Sequence, residues 1–233
     1  MGMENKFALV TGSNRGLGHA IARGLLRAGF SVLCTTRSGK ESDDWFAQLQ
    51  KSGKALFHHL DISDQSSIDT CFAFAKAHTE TLDVLVNNAG INYDTWQNIE
   101  NADVDQMLET LNVNALGALR VTQTFLPLLD ASVESRVINV SSTGGTWAAQ
   151  TGSTPAYSVS KLALNGLTLQ LAHLLNSRPI SVYAVCPGWV QTDMGGAGAS
   201  KTPDQGADTI IWLSTGTTKP DGKLYRDRAV IDW

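Results

Sequence analysis

Phe7-Ala8-Leu9-Val10-Thr11-Gly12-Ser13-Asn14-Arg15-Gly16-Leu17-Gly18 is the stretch on which the fold turns. A short apolar run that reads as a strand, Phe7 to Thr11, ends in a glycine-rich loop, and a helical period begins at once over about 16–28. Glycines at positions 12, 16 and 18 let the backbone turn tightly and approach an anion, while the free amides and positive end of the helix favour a pyrophosphate. The spacing is G-x-x-x-G-x-G, which differs from the commoner G-x-G-x-x-G fingerprint, and no Gly-Lys-Ser/Thr follows, so a P-loop is excluded. Gly12, Asn14, Arg15, Gly16, Leu17 and Gly18 are the candidate binding residues of this loop.

Outward from this loop, the same alternation of short β-branched runs and longer helical segments continues along the chain. Strands are predicted at Ser31 to Thr36, Ala55 to Leu60, Val84 to Asn87, Arg136 to Ser141 and Ile180 to Val185, with a short seventh near Lys223 to Tyr225. Helices are predicted over about 43–51, 64–78, 103–129, 156–176 and 203–214. The pattern is that of an α/β protein, a doubly wound parallel sheet of about seven strands with helices on both faces. Gly29 stops the first helix, and Thr202-Pro203-Asp204-Gln205 starts the last with a cap, a Pro and a Gln at the spacing of a capping box. No linker and no internal repeat divides residues 1–233, so one domain is expected, with a glycine-rich connection at about 188–203 reading as a mobile lid or an irregular loop.

Charge and cysteine usage narrow the function classes. A formal net charge of -4 without any basic run argues against nucleic-acid binding. No apolar run approaches a membrane span, and the start lacks the apolar core of a signal peptide, so a cytoplasmic protein is expected. Cys34, Cys71 and Cys186 are far apart in apolar segments, as suits buried thiols in a reducing compartment. Adjacent His58 and His59 would face opposite sides of a strand, and no histidine spacing suggests a metal.

Ligands of an open α/β sheet lie beyond the carboxyl ends of its strands. The third strand closes on Leu60-Asp61-Ile62 and the fourth on Asn87-Asn88-Ala89-Gly90, so these residues would line one crevice with the glycine loop; Asp61 alternatively caps the helix that begins near Ser63. At the end of the second strand, where an acid would bind a ribose 2′-hydroxyl, stands Thr35-Thr36-Arg37-Ser38. Arg37 and Arg15 offer guanidiniums matched to a 2′-phosphate, which favours NADP(H) over NAD(H). Further on, Tyr157-Ser158-Val159-Ser160-Lys161 places a phenol and an ammonium one helical turn apart, and a neighbouring cation favours the ionised phenol, the arrangement of a tuned proton donor.

With these residues in view, the chain resembles the classical short-chain dehydrogenases/reductases over essentially its whole length. The resemblance rests on T-G-x-x-x-G-x-G at 11–18, N-N-A-G at 87–90, Asn114 in Asn112-Val113-Asn114-Ala115-Leu116-Gly117, Ser142, Tyr157 with Lys161, and Pro187-Gly188. It is most similar to the NADPH-dependent carbonyl reductases, through Thr11 to Gly16, through Pro187-Gly188-Trp189-Val190-Gln191-Thr192-Asp193-Met194 and through the tail Ala229 to Trp233. The resemblance implies a single-domain Rossmann fold and a catalytic set of Asn114, Ser142, Tyr157 and Lys161. Tyr157 would give the proton, Ser142 would hold the carbonyl oxygen, Lys161 would lower the phenol pKa and bond the nicotinamide ribose, and Asn114 would help hold a water in the proton path. Asn88 and Gly90 would approach the adenosine ribose, Pro187 and Gly188 would shape the backbone at the nicotinamide, Thr192 would bond the carboxamide or phosphate, and Ile62, Ala89 and Val190 complete the implied cofactor-binding set. Ser141 should point away from Ser142 if strand alternation persists.

Tyr93, Trp96, Trp147, Trp189 and Met194 are the apolar side chains expected on loops near the nicotinamide, favouring a small hydrophobic ketone, aldehyde or secondary alcohol. Tyr157 follows Ser142 by slightly more than is usual in the family, without the long insertion of certain monomeric carbonyl reductases, so a homodimer or homotetramer is implied. Two other functions remain open: a 3-oxoacyl-thioester reductase, which would want a basic patch where only scattered Arg120, Arg136 and Lys201 are seen, and a catalytically silent NADP(H)-binding regulator on the same fold.

Overall fold

In the computed structural model, which describes residues 6–38, 44–217 and 221–233, eight strands form one sheet in the order β3-β2-β1-β4-β5-β6-β7-β8. They are β1 (Phe7–Val10), β2 (Ser31–Thr36), β3 (Ala55–His59), β4 (Val84–Asn87), β5 (Ser135–Val140), β6 (Ile180–Val185), β7 (Leu224–Arg226) and β8 (Ala229–Ile231). All pairs are parallel except the last. The chain runs outward from β1 to β3 and then returns to the other side of β1 with β4, so the order reverses between these two strands. At such a reversal the connections leave in opposite directions and a crevice opens at the carboxyl ends.

Period-two alternation explains why both faces of the sheet need helices. Ala8 and Val10 point to one face with Val32 and Cys34, where they meet Ile21 and Leu25 of α1 (Gly16–Arg27) and Ile210 and Leu213 of α7 (Pro203–Thr215). Phe7 and Leu9 point to the other with Leu33, Leu85 and Val137, against Ile68 of α3 (Gln65–His78), Phe125 of α5 (Ala118–Asp130) and Leu175 of α6 (Pro155–Leu175). The remaining helices are α2 (Asp44–Gln50) and α4 (Val104–Leu111). Helix ends follow local chemistry: Gly29 takes φ 98° behind α1, and Thr202 with Gln205 forms a complete capping box ahead of α7. Residue 43, where the second helix was expected to begin, and the first five residues, read for a leader, lie outside the described residues.

Two features depart from the expected pattern. Instead of one helix over 103–129, α4 and α5 are joined by a π-helical turn, Asn112–Gly117, which holds Asn114. The wider turn lets the Asn114 carboxamide bond the main chain of Ile91, while Gly117 permits close approach: a Cβ there would lie 2.9 Å from Ile62 Cδ1. The sheet also gains the antiparallel strand β8, one more than expected. It returns through Asp227 and Arg228, both left-handed at φ 51° and 62°, a hairpin turn made without the Asn-Gly or Asp-Gly pair that usually announces one.

Candidate active site

A cleft of about 840 Å³ opens at the carboxyl ends of the strands, spanning the order reversal between β1 and β4. Its first wall is the glycine loop. Gly12 and Gly16 hold φ 64° and 53°, and a Cβ on Gly18 would fall 2.2 Å from the Gly12 carbonyl oxygen, so no other residue fits there unchanged. Thr11 and Asn88 lock this loop to the end of β4. The Asn88 side chain donates to the carbonyls of Thr11 and Gly12 at 2.9 and 3.0 Å, while the Thr11 hydroxyl accepts from the amides of Asn88 and Ala89 at 2.9 and 3.0 Å. The Asn88 side-chain amide is thus committed to the glycine loop. Arg15, the cap residue of α1, makes no side-chain capping bond, which leaves the first-turn amides to an anion from the cleft.

At one end of the cleft, beyond β2 and β3, the exposed Arg37 and the half-buried Asp61 share the wall. Of the two roles open to Asp61, helix capping goes to Asp64, whose side chain accepts from the Ser66 amide at 3.0 Å. Asp61 instead accepts from the amide and hydroxyl of Ser63 at 2.9 and 2.6 Å. Burial opposes its charge, yet these bonds together with Arg37 and His59 hold the carboxyl below its ordinary range. Arg15 lies on the same cleft but reaches across to Asp193 at 2.5 Å, and both side chains are well exposed. The pair joins the glycine loop to the connection after β6, with little energy to resist displacement.

The opposite end gathers Ser142, Tyr157 and Lys161. Ser142 leaves β5 with its hydroxyl oxygen accepting from the Gly144 amide at 3.0 Å and bonded to the Tyr157 phenol. Ser141 turns the other way and donates to Asn165 at 2.5 Å, as the alternation requires. Gly145 brings the turn against α6: a Cβ would sit 2.6 Å from the Lys161 carbonyl carbon. Lys161, one helical turn beyond Tyr157, donates from Nζ to the Val140 carbonyl at 2.8 Å, with Nζ 5.6 Å from the phenol ring centre.

The direction of the phenol shift differs from expectation. Burial pushes Tyr157 up to about 12, the Ser142 hydrogen bond offsetting only part of it. The same burial pushes Lys161 down to about 8. Burial disfavours both charged forms, the phenolate and the ammonium alike.

Asn114 lies behind this group, buried. Its Oδ1 accepts from the Ile91 amide at 2.8 Å, and its Nδ2 donates to the Ile91 carbonyl at 2.9 Å and to Ser160 Oγ at 3.0 Å. Both amide protons and one lone pair are therefore committed to holding the segment after β4 against α6. Pro187, Gly188, Val190 and Thr192 line the cleft together with Ile62, Ala89 and Gly90. Of the five apolar side chains expected at the substrate end, Tyr93, Trp189 and Met194 are in the wall, whereas Trp96 and Trp147 stand outside it, 71% and 73% exposed. Thr143 and Cys186 also line the cleft and were not expected; the position of Cys186 at the carboxyl end of β6, directly before Pro187, is the signal that could have placed it there.

Comparison with known proteins adds a family to this geometry. The short chain dehydrogenase family matches residues 6–202. Carbonyl reductase [NADPH] 1 of Oryctolagus cuniculus is 34% identical and that of Bos taurus 32%, in each case with all of both chains covered. The chain superposes on an NADPH-bound carbonyl reductase from chicken fatty liver with a TM-score of 0.88 at 28% identity, covering 99% of this chain and 100% of that one. The carbonyl reductase Sniffer of D. melanogaster gives 0.87 at 28%, covering 95% and 96%.

The shifted lysine predicts a pH dependence of stability. With the folded pKa near 8 against an ordinary 10.5, the unfolded chain holds the extra proton between these values, so stability rises with pH from about 8 to 10. Above about 10 the raised Tyr157 reverses the trend, because the folded state then holds the extra proton. Thermal melts of the wild type and Lys161→Met should show a difference that moves in favour of the wild type between pH 7.5 and pH 9.5, as the pH rises through the folded Lys161 pKa of about 8. A difference that stays flat contradicts the shift.

Proposed function

The chain belongs to the short chain dehydrogenase family, and on that basis we propose that it reduces ketones or aldehydes with NADPH and oxidises secondary alcohols in the reverse direction. The observation that carries this reading is the meeting of Ser142, Tyr157 and Lys161 at one end of a cleft whose other end offers a bare helix start and Arg37. The glycine loop and α1 would hold the pyrophosphate of the cofactor, and Arg37, with Arg15 released from Asp193, its 2′-phosphate. When bound, NADPH supplies the hydride to the carbonyl carbon.

The chain's own groups handle the charge that develops on oxygen. Ser142 donates a hydrogen bond to the carbonyl oxygen, and Tyr157, protonated at neutral pH, delivers the proton from its phenol as the alkoxide forms. Lys161 stabilises the phenolate left behind and donates to the nicotinamide ribose with the protons not used by Val140. Asn114 keeps the wall after β4 in register with α6. Residues 188–203 form the substrate loop, and Tyr93, Trp189 and Met194 give the substrate an apolar seat.

The thioester reading finds little support. Arg136 is 2% exposed and donates to the carbonyls of Ser214 and Gly216, Arg120 donates to Asn112, and Lys201 pairs with Asp227. None of these cations forms a patch for an acidic carrier. A silent regulator would have no chemical need for Ser142, Tyr157, Lys161 and Asn114 together. The three buried free thiols suit a cytoplasmic location.

Exposed Val104 and Leu108 on α4, Leu116 beside it and Val159 on α6 give the two packed helices an apolar outer face, which we read as a twofold contact. Light scattering should therefore give two or four times the monomer mass, and a monomer at micromolar concentration refutes the contact. Tyr157→Phe should cost at least about a thousandfold in kcat with an aromatic ketone while leaving NADPH binding nearly intact. Normal turnover by that variant rules out the proton-donor role. Arg37→Asp should weaken NADPH by about tenfold or more and NADH far less; equal losses contradict the 2′-phosphate assignment.

A further inference from the structure

Helix α6 lacks an ordinary start. Thr154, at its cap position, is held left-handed at φ 46°, and its hydroxyl faces Ser158 Oγ instead of a first-turn amide. Pro155 has no N–H, and the Ser158 amide already donates to the Thr154 carbonyl. The amides of Ala156 and Tyr157 are thus the donors this turn leaves unmet.

One oxygen from elsewhere in the chain meets both. Asp94 Oδ2 accepts from the Ala156 amide at 2.7 Å and from the Tyr157 amide at 3.4 Å, across 62 residues of sequence. Asp94 is fully buried, and its other oxygen, Oδ1, has no hydrogen-bond partner. The bonds to α6 are therefore the only ones found for this carboxylate among the described residues. A negative group also suits the positive end of a helix. The segment that carries Asp94 carries Ile91, bonded to Asn114, and Tyr93, in the cleft wall.

We propose that Asp94 is a positioning residue for proton transfer: as a cap supplied from outside the helix, it fixes the first turn of α6 and with it the Tyr157 phenol opposite Ser142. The proposal rests on the reading of Tyr157 as proton donor. Lys161, one turn further in, is held independently by the Val140 carbonyl and by the packing of Gly145. Loosening the first turn therefore moves the phenol while leaving the ammonium and the cofactor wall in place. The loss falls on kcat and spares cofactor binding.

The test compares Asp94→Ala, Asp94→Asn and Tyr157→Phe with NADPH and an aromatic ketone. Asp94→Ala should lower kcat by about tenfold to a hundredfold, since small displacements of a reacting group have effects of that order, with NADPH affinity and ketone KM changed by no more than about twofold. Asp94→Asn keeps an acceptor oxygen at the same place and should return kcat to within about threefold of the wild type. Unchanged kcat in the Ala variant, a matching loss of NADPH affinity, or an Asn variant as poor as the Ala one would each overturn the proposal. Should the Ala variant not fold, Asp94→Glu moves the oxygen by one methylene, and a wild-type kcat there is equally fatal. Turnover by Tyr157→Phe would instead remove the donor reading, and is scored separately.

Discussion

The chemistry of this cleft depends on how closely α6 lies against the turn that leaves β5. Gly145 makes that approach possible, because any side chain there would meet the backbone of Lys161. Once the helix is in place, Lys161 reaches the Val140 carbonyl and Tyr157 meets Ser142. Burial disfavours both charged forms, so the phenol keeps its proton and the ammonium holds its own only loosely. In the role proposed for Tyr157, a phenol that delivers its proton to a nascent alkoxide benefits from staying protonated until then. Catalytic readiness and the cost of burial are thus two sides of one packing contact.

The second half of the site follows from topology. Because the strand order reverses beside β1, the glycine loop, the ends of β3 and β4 and the connection after β6 converge on one edge of the sheet. Thr11 and Asn88 bind two of these segments together, Asn114 ties a third point to α6, and Asp94 closes the circuit at the helix start. The walls of the cleft are therefore joined by side chains from different segments, and the site behaves as one assembly.

Much of this was legible in the residues. The glycine loop could be placed because its spacing, its preceding strand and its following helix point to the same structure. The alternation of short apolar runs with longer helical segments already implied helices on both faces of the sheet, and the orientation of Ser141 away from Ser142 followed from the two-residue period of a strand. What could not be read depends on contacts distant in sequence or on unusual backbone. The π turn around Asn114 looks like ordinary helix in one dimension, β8 returns through a turn without the usual residues, and Asp94 caps a helix 62 residues away. Burial likewise decided the sign of the Tyr157 shift, which charge proximity alone predicted the other way.

The measurement closest to the central claim is a panel of initial rates with aromatic ketones, aldehydes and 3-oxoacyl thioesters, each with NADPH and with NADH. An apolar seat, a protonated phenol and guanidiniums at the adenosine end predict turnover of ketones and aldehydes with a preference for NADPH, and slower turnover of the thioesters. No turnover of any carbonyl, or turnover confined to the thioesters, would contradict it.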